Sequence, residues 1–378
     1  MRYYNTAGPV NCKDHYCLDP LSRFDLDEVL QLIDQKKYFV LHAPRQTGKT
    51  SSLHALMKLL NKHDKYRCLY INVEDAQAAR ENVKEGIQYI LAEMASKAKF
   101  YLKDTFINDI WYDIFNKMGA GAFKNILTEW SSQSSRPLVL LIDEIDSLIG
   151  DTLISVLRQI RSGYDKKPDT FPQSIILCGV RDVRDYRIHS DQEKKIITGG
   201  SAFNIKAKSL RLGDFSKEEV EALYKCHTDE TGQKFDTNAL DAVWELSEGQ
   251  PWLVNALAYE VCFDMKPNSD RSVTITLEMI HQAKENLILR RETHIDQLTD
   301  KLLEDRVINV IEPMLRGINL DSKIPQDDIQ YVMDLGLIKR GRLGFRLSNA
   351  IYMEIIPREI AFVPQLNFES NYDPLWYI

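Results

Sequence analysis

Nine consecutive residues, Ala43-Pro44-Arg45-Gln46-Thr47-Gly48-Lys49-Thr50-Ser51, hold the strongest chemical signal in the chain. They match the phosphate-loop pattern G-x-x-x-x-G-K-[ST] at every defined position but the first, where Ala43 stands in place of glycine. The residue types suit a phosphate chain. Successive backbone N–H groups can wrap its oxygens. Gly48 lacks a Cβ and lets the backbone approach closely. Lys49 brings positive charge to the β- and γ-phosphates, and Thr50 offers a hydroxyl to Mg²⁺. From Ser51 the pattern is helical, so a helix N-terminus adds its N–H groups and dipole. Alanine at position 43 is compatible with all this if its φ is negative.

A second cluster is Leu138-Val139-Leu140-Leu141-Ile142-Asp143-Glu144-Ile145-Asp146, the Walker B form. Its apolar run predicts a buried strand, expected beside the strand that enters the phosphate loop. Asp143, at the strand's end, would hold Mg²⁺ through its water shell. Glu144 would polarise the attacking water as a general base. Each motif alone could be an ordinary turn or strand exit. Together, at this spacing, they predict binding of ATP and Mg²⁺.

These groups need a scaffold, and the pattern supplies one. Apolar residues at helical spacing predict a helix over 21–36 and another over 51–60. Strands are expected at Tyr38–Leu41, Cys68–Val73, Leu138–Ile142 and Ser174–Cys178, with a less regular one near 204–212. A long helical stretch, 76–133, is expected to break at Gly119 and Gly121. Strands alternating with helices, several of them apolar throughout, predict an α/β fold with a three-layer parallel sheet. The nucleotide-binding domain is assigned to 1–215.

From Ser216 the texture is helical, and 216–295 is read as a helical lid subdomain. Over 296–361, helices at Val307–Leu315 and Ile329–Leu335 precede a hairpin. Its strands are Leu337–Arg340 and Leu343–Leu347, with Gly341-Arg342 at the turn, which suggests a C-terminal winged helix. The aromatic, proline-punctuated tail, 362–378, is left unassigned.

The order of these motifs resembles the AAA-like, signal-transduction (STAND) branch of P-loop NTPases, in particular a bacterial AAA-like domain protein. The resemblance implies further roles. Arg181, after the fourth strand in Gly179-Val180-Arg181-Asp182, matches the family's sensor of the γ-phosphate; a surface salt bridge to Asp182 or Asp185 is the plainer alternative. Glu248-Gly249-Gln250-Pro251-Trp252 resembles the family's G-x-P motif, which gives Pro251 a nucleotide contact. Read from the residues alone, Gly249 ends one helix and Pro251 opens the next. The segment Asn5–Val10 matches one that lies near adenine in similar ATPases. Arg158 and Arg161, after Walker B, are candidates for an arginine finger, though two arginines on a helix are more often solvated or paired. ATP over GTP is likewise implied by the resemblance.

Composition narrows the classes. With 44% apolar and 27% charged residues the chain can build a substantial core, and a net charge of -7 leaves no chain-wide basic footprint for nucleic acid. No apolar run of about 18 residues exists, so no membrane span is expected. Met1–Thr6 lacks the apolar core of a signal peptide, and a cytoplasmic location is expected. Cys12 and Cys17 flank His15 but supply too few ligands for zinc, and reduced thiols are expected.

Over 305–360 eight basic residues balance eight acidic ones, and the helix that would enter a DNA groove has Asp327, Asp328 and Asp334 but no Lys or Arg. Lys339, Arg340, Arg342 and Arg346 could still hold phosphates from the hairpin. DNA is therefore kept as a second reading rather than the favoured one. An ATPase acting as an ATP-dependent switch, with a protein partner and room for oligomerisation, leads. An ATP-binding scaffold for a nuclease or toxin partner is the other alternative.

Overall fold

In a computed structural model the described residues are 1–190, 195–290, 293–318, 320, 324–342 and 344–370. The chain divides into two compact units, Asp19–Gly213 and a second made of Met1–Leu18 with Asp214–Ile378.

The first unit begins with a 3-10 turn, Pro20–Arg23, and α1 (Leu26–Asp34), whose N-terminus is capped by the Asp25 carboxylate. Then come β1 (Tyr38–His42), α2 (Lys49–Lys62) and β2 (Arg67–Asn72). Three helices follow, α3 (Val83–Lys97), α4 (Phe106–Met118) and α5 (Ala122–Gln133). After them lie β3 (Leu138–Asp143), α6 (Gly150–Ser162) and β4 (Ser174–Gly179). A small antiparallel pair, β5 (Arg187–Ser190) and β6 (Lys195–Thr198), leads through the short α7 (Gly199–Ala202) to β7 (Lys206–Arg211).

The main sheet has the order β2-β3-β4-β1-β7 and every pairing in it is parallel. Every residue of β3 and β4 is buried, as expected for strands covered on both faces. Alternation along the strands builds two separate cores. On one face Val40, Leu69, Leu140 and Leu177 pack with α3 to α6. On the other Leu41, Tyr70, Leu141 and Cys178 pack with α1 and α2. The result is three layers.

Two expectations change here. The strand bearing Asp143 is not beside β1, because β4 lies between them. Strand order is set by crossover packing, which residue spacing does not encode. The stretch 76–133 also breaks earlier than its glycines suggest: α3 passes through a π-helical turn, Ala98–Leu102, and stops where Lys103 takes φ 55°.

The second unit contains α8 (Lys217–Thr231), α9 (Thr237–Ser247), α10 (Pro251–Tyr259), α11 (Leu277–Arg290), α12 (Thr293–Leu302), α13 (Asp305–Leu315) and α14 (Gln326–Asp334). The hairpin β8 (Ile338–Gly341) and β9 (Gly344–Leu347) follows, then α15 (Ala350–Ser370). One apolar core runs from Val220 through Leu257, Val310 and Ile338 to Ile356, across the expected boundary near residue 295.

The first 18 residues, read above as part of the nucleotide-binding domain, group with this unit instead. Tyr4 and Tyr16 are buried against Tyr224 and His227. Arg2 bonds Glu230, and the Trp252 indole donates to the Thr6 carbonyl at 2.9 Å. Cys12 and Cys17 form a disulfide, with Cα atoms 5.5 Å apart, rather than the reduced thiols expected. The local chain reversal that brings them together gives no signal in a spacing of five residues. Helix α15 takes in the backbone of 362–370, assigned above to the tail, while 371–378 lie outside the described residues. So do Asp321, Lys323 and Leu343.

Among the described residues no helix is long and apolar enough to cross a membrane.

Candidate functional site

The phosphate loop grows out of β1 with no break in pairing, since Ala43 N–H donates to the Gly179 carbonyl at 3.2 Å. The loop's left-handed positions are Gln46 (φ 58°) and Gly48 (φ 91°), not Ala43. Alanine therefore costs the loop nothing at its first position. Helix α2 starts at Lys49, and no side chain caps its N-terminus. No side-chain oxygen competes with an anion there.

The loop is braced from within and from outside. The Thr47 hydroxyl donates to the Pro44 carbonyl at 2.8 Å. The buried Lys49 ammonium donates to the Ala43 and Pro44 carbonyls at 3.0 and 2.9 Å, so it is held over the loop. Arg23 donates to the Thr47 carbonyl at 3.3 Å and to the Gly213 carbonyl at 2.5 Å. Gln46 Oε1 is buried without a hydrogen-bond partner among the described residues. Arg45 is exposed, while Pro44, Thr50 and Ser51 are half-buried.

Asp143 is wholly buried at the end of β3. The Thr50 hydroxyl donates to its Oδ2 at 2.7 Å, the Tyr70 hydroxyl to the same oxygen at 3.0 Å, and the Glu144 N–H to its Oδ1 at 3.0 Å. This joins the two motifs directly despite the intervening β4. Glu144 takes φ 55°. Burial, helped by Asp146 and Asp143 and opposed by Lys49 and Arg45, pushes its carboxyl up to about 7. That is the range in which a carboxylate works as a base near neutral pH.

Asp146 ties the exit of β3 to that of β4 by accepting from the Val180 N–H at 3.0 Å. Gly179 permits this: a Cβ there would sit 2.4 Å from Asp146 Oδ1. Arg181 follows two residues after β4 and is buried, with its guanidinium 6.0 Å from the centre of the Tyr186 ring. As β4 separates β1 from β3, Arg181 leaves the sheet between the strands that position Lys49 and Asp143. Asp182, offered above as an alternative partner for Arg181, pairs with the buried Lys206. Arg158 and Arg161 are exposed on α6, and Arg161 donates to the Ser201 carbonyl at 2.9 Å.

Pro251 belongs to the other unit. It is the first residue of α10, whose N-terminus is capped by the Gln250 side chain. Before it, Glu248 (φ 44°) and Gly249 (φ 79°) both turn left-handed, so α9 ends at Ser247, a residue earlier than glycine alone would indicate. Glu248 pairs with two cations of the hairpin: Lys339, and Arg346 in a two-pronged contact of 2.5 and 2.7 Å. Half of the expected basic cluster is thus engaged by an acid of its own unit.

Sequence reading missed Arg23, Tyr70 and the Asp146–Val180 tie. Arg23 precedes the motif by twenty residues without a pattern, and Tyr70 looks like one more core residue of a strand.

The residues present fit a magnesium nucleotide. An uncapped helix start, a loop-held lysine and a hydroxyl bonded to a buried carboxylate form one donor set for phosphate and cation. At the carboxyl ends of a parallel sheet this arrangement is that of the P-loop nucleotide-binding folds. The chain belongs to the AAA-like domain family, whose model matches residues 23–353. Two solved structures show the same fold. The Walker-type ATPase PABY2304 of Pyrococcus abyssi is 15% identical, with a TM-score of 0.56 over 93% of this chain and 99% of that one. The ORC2 protein of Aeropyrum pernix, solved in ADPNP-ADP complexes, is 13% identical, with a TM-score of 0.53 over 89% and 93%. No curated protein matches the chain in sequence.

Proposed function

We propose that the chain binds ATP with Mg²⁺, hydrolyses it, and acts as an ATP-dependent molecular switch in the cytoplasm. The observation that supports this most is the 2.7 Å hydrogen bond from Thr50 to Asp143, which brings the two motifs together across 93 positions of chain. Bound Mg²⁺ would neutralise charge on the β- and γ-phosphates. Lys49 holds phosphate oxygen, and Thr50 with Asp143 holds the cation. Glu144 takes a proton from water. Arg181 reads the γ-phosphate. The family resemblance gives Pro251 a nucleotide contact and helices 216–295 the role of a lid. Hydrolysis removes the contacts that favour one lid arrangement, which biases the second unit and its winged-helix hairpin toward a protein partner. A DNA-reading role is less supported, because Lys339 and Arg346 already pair with Glu248.

The test is Mg·ATP binding and phosphate release by the purified chain beside Lys49→Ala and Glu144→Gln. We expect Lys49→Ala to lose binding. Glu144→Gln should keep binding and lose about 10²–10⁴-fold in phosphate release. Wild-type protein that binds no Mg·ATP would overturn the reading.

A further inference from the structure

We infer that Tyr70 is a positioning residue for the Asp143 carboxylate and sets the response of the site to Mg²⁺, an inference that rests on the Mg·ATP reading above. Tyr70 pairs in register with Leu141, two residues before Asp143, so its ring and the Asp143 side chain share the α1/α2 face of the sheet. From there its hydroxyl donates to Asp143 Oδ2 at 3.0 Å, in an environment where both side chains are almost completely buried.

A phenylalanine would fill this position in the core equally well. A buried tyrosine hydroxyl needs a partner, and here its partner is the acid expected to hold the cation.

The geometry explains why that acid needs another donor. The terminal torsion of an aspartate is soft, so one hydrogen bond does not fix the carboxylate plane. The Glu144 N–H holds Oδ1, and Thr50 and Tyr70 hold Oδ2 from two different elements, α2 and β2. Thr50 has one hydroxyl proton and gives it to Asp143, which keeps its lone pairs for a cation. Tyr70 keeps the receiving oxygen in place without depending on Thr50. The Tyr70 ring is itself fixed by His54, one turn along α2 from Thr50. The His54 ring meets it edge-on, with centroids 4.3 Å apart and planes at 81°. His54 Nε2 is buried and has no hydrogen-bond partner among the described residues, so ring packing is the contact it contributes here.

The experiment is a Mg²⁺ titration of nucleotide binding and phosphate release in wild type, Tyr70→Phe and His54→Leu, with ATP binding in EDTA and thermal melting alongside. For Tyr70→Phe we expect half-saturation to need about tenfold more Mg²⁺, with ATP affinity in EDTA unchanged. His54→Leu should shift the same way by a smaller factor. A wild-type Mg²⁺ response in a folded Tyr70→Phe protein overturns the inference. So does a parallel fall of metal-free affinity and melting temperature without a Mg²⁺-specific shift. If Tyr70→Phe does not fold, an unchanged half-saturation in His54→Leu overturns it. Wild-type protein without Mg²⁺-dependent nucleotide binding would instead sink the underlying reading and leave Tyr70 no cation site to position.

Discussion

Asp143 and Glu248 are both acids at the end of a secondary-structure element, one in each unit, and both gather several donors. Their surroundings differ. Asp143 is wholly buried and its donors are two hydroxyls and a backbone N–H. Glu248 has a quarter of its side chain exposed and its donors are the cations of Lys339 and Arg346. Neutral donors in a dry interior fix an acid in one orientation, and removing the acid strands every donor aimed at it. Opposite charges at a wet surface gain little net energy and exchange readily with ions. One unit therefore holds its chemistry still, while the other has a tie that opens cheaply.

The largest effect should come from Asp143→Ala. It strands the Thr50 and Tyr70 hydroxyls and the Glu144 N–H, at about 1–3 kcal/mol for each donor left unsatisfied. Chemical denaturation should show a loss of several kcal/mol, and nucleotide binding should no longer respond to Mg²⁺. A variant as stable as wild type would mean that the Asp143 network is looser than its distances suggest.

An intermediate effect is expected for Arg23→Ala, which removes the outer brace on the Thr47 carbonyl. ATP affinity should fall about three- to tenfold, while the rate of phosphate release at saturation holds. Equal losses in both would place Arg23 in the reaction rather than behind the loop.

The smallest belongs to Glu248→Gln, at less than about 1 kcal/mol by denaturation and fading as salt is raised. Its pH dependence follows from the same contacts. Burial works against the Glu248 carboxylate, but Arg346 and Lys339 outweigh it and hold its pKa below the usual 4.5. The tie is therefore fully present above that value and is lost as pH falls through the lowered pKa. Wild type and Glu248→Gln should converge in stability at acid pH. A difference that persists there, or in high salt, would show that the tie is not ionic.

How much the sequence revealed follows the same division. The loop from Ala43 to Thr50 and the strand ending at Asp143 were legible because each is a contiguous pattern: a phosphate-loop motif reads in order along the chain, and Asp143 closes an apolar run. The parallel sheet was legible for the same reason, since burial on both faces leaves Leu138–Ile142 no polar position. Strand order was not, because the placement of β4 between β1 and β3 depends on how helices cross the sheet. Nor were Arg23 and Tyr70, whose partners lie 24 and 73 residues away. The hairpin cations looked available because the acid that pairs with them is more than ninety residues upstream.

The grouping of residues 1–18 with 214–378 has a consequence for synthesis. The P-loop unit is, in effect, inserted into its neighbour. All of its residues have been made by Gly213, so it is able to fold as one piece. Tyr4 and Tyr16 are made well before Tyr224, His227 and Phe263, which follow about 210 to 260 positions later. At roughly 5–20 residues per second, those two rings wait on the order of 10–50 s for the surfaces that bury them. For that interval the two rings lack the surfaces that bury them, which leaves apolar area exposed to aggregation while synthesis continues.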